Sequence, residues 1–186
     1  GVKTVVLSSG RESTLGINPL ELQGGGAEQQ GLYDQRRAFL ALIRRACPAL
    51  GHKQANLLKT ALETVYRAAG IDDKDPATWG AKPPRMADLL AELENIAEDD
   101  QTKANVVDGL NAVTGDLFGH PIFHRDTYVS LDSLMTDSIR LKLSALEDSE
   151  KMVVTETLLR RLFAALQAQG PIPTRPVDDT ERFRLF

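Results

Sequence analysis

Three histidines, a single cysteine, several acidic pairs and two arginine clusters are the residues with types and spacing suited to chemistry. In "HPIFH", His120 and His124 stand four apart, a metal-ligand spacing when both occupy one helix face. Pro121 interrupts that spacing and no glutamate follows the first histidine, so the zincin arrangement is not formed. Cys47 lies near His52, a combination that can make a thiolate nucleophile. It also ends an apolar helical pattern beside Pro48, which better suits a buried, inert thiol. Ser8 and Ser9 follow a strand-like run, but no G-x-S-x-G string surrounds them. Asp72-Asp73, Asp99-Asp100 and Asp178-Asp179 fall at turns and helix entries, where capping and the helix dipole account for them. No catalytic, cofactor-binding or metal-ligating residue is assigned on these grounds.

The arginines carry more weight. Arg36, Arg37, Arg44 and Arg45 lie in one helical pattern, with Arg37, Arg44 and Arg45 expected on a face opposite Leu40 and Ile43. Such a stripe can contact phosphates of DNA, or a neighbouring subunit of a ring. The plainer alternative is a solvated face paired with acids. Arg160-Arg161 belongs to a later helix, close to the expected core.

The elements that position these residues read as follows. Val2 to Leu7 is β-branched and apolar throughout, the pattern of a strand buried on both faces. "LGINPLEL" follows, with Pro19 disfavouring the α region at Asn18, so a rigid corner is expected. Gly24-Gly25-Gly26 is a flexible joint. Four helices come next. Leu32, Phe39, Leu40, Ile43 and Ala46 mark the first, ended by Pro48 and broken once by Arg36. Leu58, Leu62, Val65, Tyr66 and Ala69 mark the second, stopped by Gly70. After a turn-rich connector from Ile71 to Pro84, which holds Trp79, the third shows Met86, Leu89, Leu90, Leu93 and Ile96, with Pro84 expected in its first turn. Val106, Val107, Leu110, Val113 and Leu117 mark the fourth, with Asp99 or Asp100 as N-cap. Gly119 and Pro121 break it. "SIRLKLSAL" then alternates as a half-buried strand. A helix from Asp148 or Ser149 to Gly170 has an apolar stripe broad enough to imply packing on two layers: Val154, Leu158, Leu162 and Leu166, flanked by Met152, Leu159 and Phe163. "GPIPTRPVDD" is an extended linker, and "RFRLF" begins another strand.

The bulk properties are those of one globular domain: 186 residues, 42% hydrophobic and 26% charged. A net charge of −4 argues against a domain dedicated to coating nucleic acid, while leaving room for a local basic patch. One cysteine excludes an intrachain disulfide, and no apolar run reaches the ~20 residues of a membrane span. A cytoplasmic location is expected. The scattered strands look like parts of a parallel sheet with further strands outside the chain.

"INPLEL" after a strand, a helical insertion, and then "VSLDSLMTDSIRLKLSALEDSEKMVVTETLLRRLFAAL" resemble the HerA/FtsK-type ATPases. These include DNA-translocating motors, conjugative-transfer ATPases and ATPases of phage defence. The resemblance implies a mainly α chain: a helical insertion subdomain with a few strands of an incomplete RecA-like core. Residues 1–26 would be the first strand and corner, 27–118 the helical subdomain, and 119–186 a strand-helix-strand return to the core. It also implies an accessory part of a hexameric, ATP-driven DNA translocase. Its partners would be the rest of that ATPase, DNA and other ring subunits.

The chain departs from the family at both nucleotide-binding ends. No G-x-x-x-x-G-K-[ST] string occurs, and "SSGREST" lacks the lysine that reaches phosphate. The acidic pair that holds magnesium would fall after Phe186. ATP and magnesium therefore belong to the parent protein in this reading, and the chain alone is not expected to hydrolyse ATP. The rival is a self-contained helical adaptor unrelated to nucleotides.

Overall fold

β-Branched and alternating residues place two short strands side by side. In the computed structural model, which describes residues 3–8, 15–22, 31–125 and 139–168, β1 is Lys3–Val6 and β2 is Ile139–Lys142. They pair in parallel, Lys3 opposite Ile139 through Val6 opposite Lys142, and the Leu7 amide extends the ladder to the Lys142 carbonyl at 3.1 Å. Parallel neighbours require a crossover, and here it includes the corner and four helices. The expected burial of β1 on both faces is met on one only: Val5 is buried and Leu7, just past the strand, has no exposed surface, whereas Thr4 is exposed and Val6 half-buried. "RFRLF", the glycine joint and most of "SSGREST" lie outside the described residues.

The helices follow the apolar periodicity. α1 is Leu32–Ala46, and Pro48 stands just beyond its end. α2, His52–Ala68, starts where the Gly51 amide meets Gln54 Oε1 at 2.6 Å. It ends at Gly70, whose φ of +76° is a left-handed conformation suited to glycine. α3 is Met86–Asp99 and α4 is Gln101–Phe118. Asp100 caps α4 through the Thr102 amide at 2.9 Å. The Thr102 hydroxyl, then Lys103, then that amide hold the Asp100 carboxyl below the usual aspartate range. Pro84 differs from expectation. Arg85 is the N-cap of α3, so Pro84 precedes the helix, and its carbonyl is engaged elsewhere in the fold.

α5, Asp148–Ala168, packs on α1. Its first turn is closed by Glu150, whose Oε2 accepts the Glu147 amide at 2.7 Å, one residue before the expected caps. Only one side of its broad stripe is covered. Val153, Val154 and Leu158 are buried, whereas Met152, Leu159 and Phe163 are exposed among the described residues. The expected second layer is absent from that set.

One buried cluster runs through the chain. Leu58, Leu62 and Tyr66 of α2 meet Leu89 and Leu93 of α3 and Leu110 and Leu117 of α4. Phe39 of α1 stacks on Phe118, with ring centroids 6.4 Å apart. The same cluster reaches Val5 and Leu7 at one end and Val153, Val154 and Leu158 at another.

The corner explains how these parts are joined. Ile17, Asn18 and Leu20 are buried, and the Asn18 side chain folds back to accept the Leu20 amide at 3.1 Å. Its amide group donates to the Pro84 carbonyl at 3.0 Å, ahead of α3. Gln35 of α1 donates to the Pro19 carbonyl at 3.0 Å, and the Tyr66 hydroxyl of α2 donates to the Leu20 carbonyl. Arg161 of α5 donates to the Asn18 carbonyl at 3.3 Å and pairs with Glu21. Ile17 donates its amide to Ile122, beyond α4, at 2.9 Å. A turn buried this deeply must satisfy its backbone groups with protein partners, and side chains from three helices do so. Burial pushes the Arg161 guanidinium down to about 10, which still leaves it charged at neutral pH beside Glu21.

Candidate nucleic-acid interface

α1 and α2 form a helical hairpin joined through residues 47–51. Between their exposed flanks lies a groove of about 540 Å³. α1 contributes Tyr33, Arg36, Arg37, Leu40, Arg44 and Arg45, and α2 contributes Asn56, Lys59 and Glu63. The wall thus holds five cations and one anion, in a chain of net charge −4.

The helix turns about 100° per residue. Arg37 and Arg44, seven apart, therefore share a face, while Arg45 stands about 100° from Arg44. The structure brings Arg37 and Arg44 together over the groove and carries Arg45 toward α5. There its guanidinium pairs with Glu156, which also receives Arg160 at 2.6 and 2.9 Å. Arg45 is thus an ion-paired member of the expected stripe. Leu40 does not oppose the stripe; it is half-buried and lines the same groove. Arg36, the polar break in the α1 pattern, is held by Asp73 and lies 3.9 Å from Glu63. Arg37, Arg44 and Lys59 have no acidic partner among the described residues.

Lys59 and Tyr33 are missing from a reading of the α1 arginines alone. Lys59 follows Leu58 on the flank of the α2 apolar face, and that position was its only signal. Tyr33 is 60% exposed and shares the groove with the cations.

The other candidates are spread apart. His120 Nδ1 accepts the Ile122 amide at 3.3 Å, and His124 Nε2 lies 2.7 Å from the Phe118 carbonyl. Their rings thus serve the turn after α4. His52 is exposed at the start of α2. Cys47 is buried at the end of α1, and burial pushes its thiol pKa up, which disfavours the reactive thiolate. Native protein is accordingly expected to react with a thiol reagent at least tenfold more slowly than denatured protein; equal rates would show an accessible thiol. Asp72 closes its own turn by accepting the Lys74 amide at 2.9 Å. Asp178 and Asp179 lie outside the described residues.

No protein-family model matches the chain, and no curated protein does. Among solved structures, it is similar to VirB4 of Thermoanaerobacter pseudethanolicus, with 18% sequence identity and a TM-score of 0.65. The likeness covers 90% of this chain and 63% of the VirB4 chain, so this chain spans less than two thirds of that neighbour's length. The likeness is one of fold: a mainly helical chain with a parallel strand pair is arranged as part of VirB4 is.

Proposed function

We propose that this chain is an accessory helical subdomain, with adjoining core strands, of an ATP-driven DNA-transfer motor of the HerA/FtsK type. One observation carries the reading: β1 and β2 are adjacent and parallel, and the helical body lies within the crossover between them. That is the topology of an insertion into a parallel core, and a separate helical adaptor has no need of it. The VirB4 likeness supports it as a likeness of fold, spanning 90% of this chain and only part of the larger VirB4 chain. In this reading residues 1–26 and 119–186 belong to the core and 27–118 to the insertion. The remainder of a cytoplasmic ring ATPase supplies ATP and magnesium. DNA runs against the basic α1–α2 groove.

The chain itself lacks the lysine and glycine pattern that cradles phosphate. Calorimetric titration of the 186-residue chain with magnesium-ATP is expected to give no saturable micromolar binding, and phosphate release to stay at background. The natural gene is expected to encode a P-loop upstream of "VKTVVL" and an acidic pair directly after "RFRLF". A gene lacking both would overturn the motor reading in favour of the adaptor.

A further inference from the structure

We infer that the α1–α2 groove binds single-stranded nucleic acid, with phosphates on Arg37, Arg44 and Lys59 and a base stacked on Tyr33. The inference deepens the DNA contact of the proposed function and rests on that reading. Its first support is charge. Arg36 is paired with Asp73 and Arg45 shares Glu156 with Arg160, while Arg37, Arg44 and Lys59 have no acidic partner among the described residues. Arg37 and Arg44 stand two turns apart, about 10.5 Å along the axis, so they meet different phosphates.

Shape is the second support. The cations line a concave groove between two packed helices, and Tyr33 shares its wall. A duplex buries the faces of its bases and offers Tyr33 nothing to stack on. A single strand exposes those faces and bends into a groove. Aromatic platforms beside cationic tracks are the usual means of holding one. Tyr33 is 60% exposed and Asn56 lines the groove from α2, so a stacking ring and a hydrogen-bonding amide share the wall with the cations.

Fluorescence anisotropy with the full 186-residue chain tests this, using a labelled oligothymidylate, a duplex of equal length and poly-glutamate as competitor. The single strand is expected to bind at least tenfold more tightly than the duplex. Its affinity should fall about twentyfold between roughly 50 and 200 mM salt, the loss for about three phosphates. Tyr33→Ala is expected to weaken binding about tenfold, and Tyr33→Phe to restore it. The triple variant Arg37→Ala, Arg44→Ala, Lys59→Ala should abolish binding with an unchanged melting temperature, because all three residues are exposed.

Equal or tighter duplex binding that the triple variant still abolishes would overturn the single-strand inference and leave the DNA-contact reading standing. Absence of binding to either form at low salt would remove both, without touching the motor topology. Displacement of the oligonucleotide by poly-glutamate at equal charge concentration would reassign the groove to an acidic protein segment.

Discussion

Asn18→Ala is expected to lower the unfolding free energy by about 2–4 kcal/mol, read from urea denaturation followed by helical circular dichroism. The side chain is 1% exposed and makes two hydrogen bonds, to the Pro84 carbonyl and from the Leu20 amide. Alanine removes both. The Pro84 carbonyl and the Leu20 amide then stay buried without those partners, each at roughly 1–3 kcal/mol. Asn56→Ala makes the same chemical change on the exposed face of α2 and is expected to stay within about 0.5 kcal/mol of the parent. A loss below about 1 kcal/mol at Asn18 would mean that water or a backbone shift satisfies the orphaned groups, and that the corner is not the joint described above.

The need for that joint was only partly legible in the sequence. Asn18-Pro19 marks a turn because proline restricts the residue before it, and that rule is local. The partners of the turn are not local. Gln35, Tyr66 and Arg161 donate to backbone carbonyls, and a carbonyl has no residue type to announce it. One signal was available. Gln35 falls among Leu32, Phe39 and Leu42 on the buried face of α1, and a polar residue there needs a buried partner. The helices themselves were legible because apolar residues recur at the helical period and Gly70, Pro48 and Asp100 punctuate them. The register of Lys3 opposite Ile139 was not, since pairing across that separation depends on the folding of everything between. The groove had the same obstacle. Its α1 wall shows in sequence as an arginine cluster, but Lys59 joins it only once α2 is packed alongside. The pairing of Arg45 with Glu156 has a simpler reason: adjacent residues on a helix point about 100° apart, so Arg45 reaches α5 as Arg44 does not.

Gly16→Ala is expected to destabilise the chain by about 2–4 kcal/mol, through overpacking rather than through loss of a contact. A Cβ at Gly16 would stand 2.5 Å from the Ile122 carbonyl oxygen and 2.8 Å from Arg125 Cβ. The first is backbone and cannot swing aside. It is also the acceptor for the Ile17 amide at 2.9 Å, so retreat of the oxygen strains the hydrogen bond that ties the corner to the turn after α4. Gly115 supplies the opposite sign. It lies in the exposed part of α4, and a Cβ there meets nothing within 4 Å. Gly115→Ala is therefore expected to stabilise by about 0.5–1 kcal/mol, the gain of alanine over glycine inside a helix. For a chain of this length each kcal/mol moves the melting temperature by about 2–4 °C, so the two variants should separate by several degrees on opposite sides of the parent. The close approach at Gly16 is what lets the turn at Ile122 and the corner at Ile17 bond directly. If Gly16→Ala melted with Gly115→Ala above the parent, that approach would not exist, and the corner would be free to move relative to the helical body.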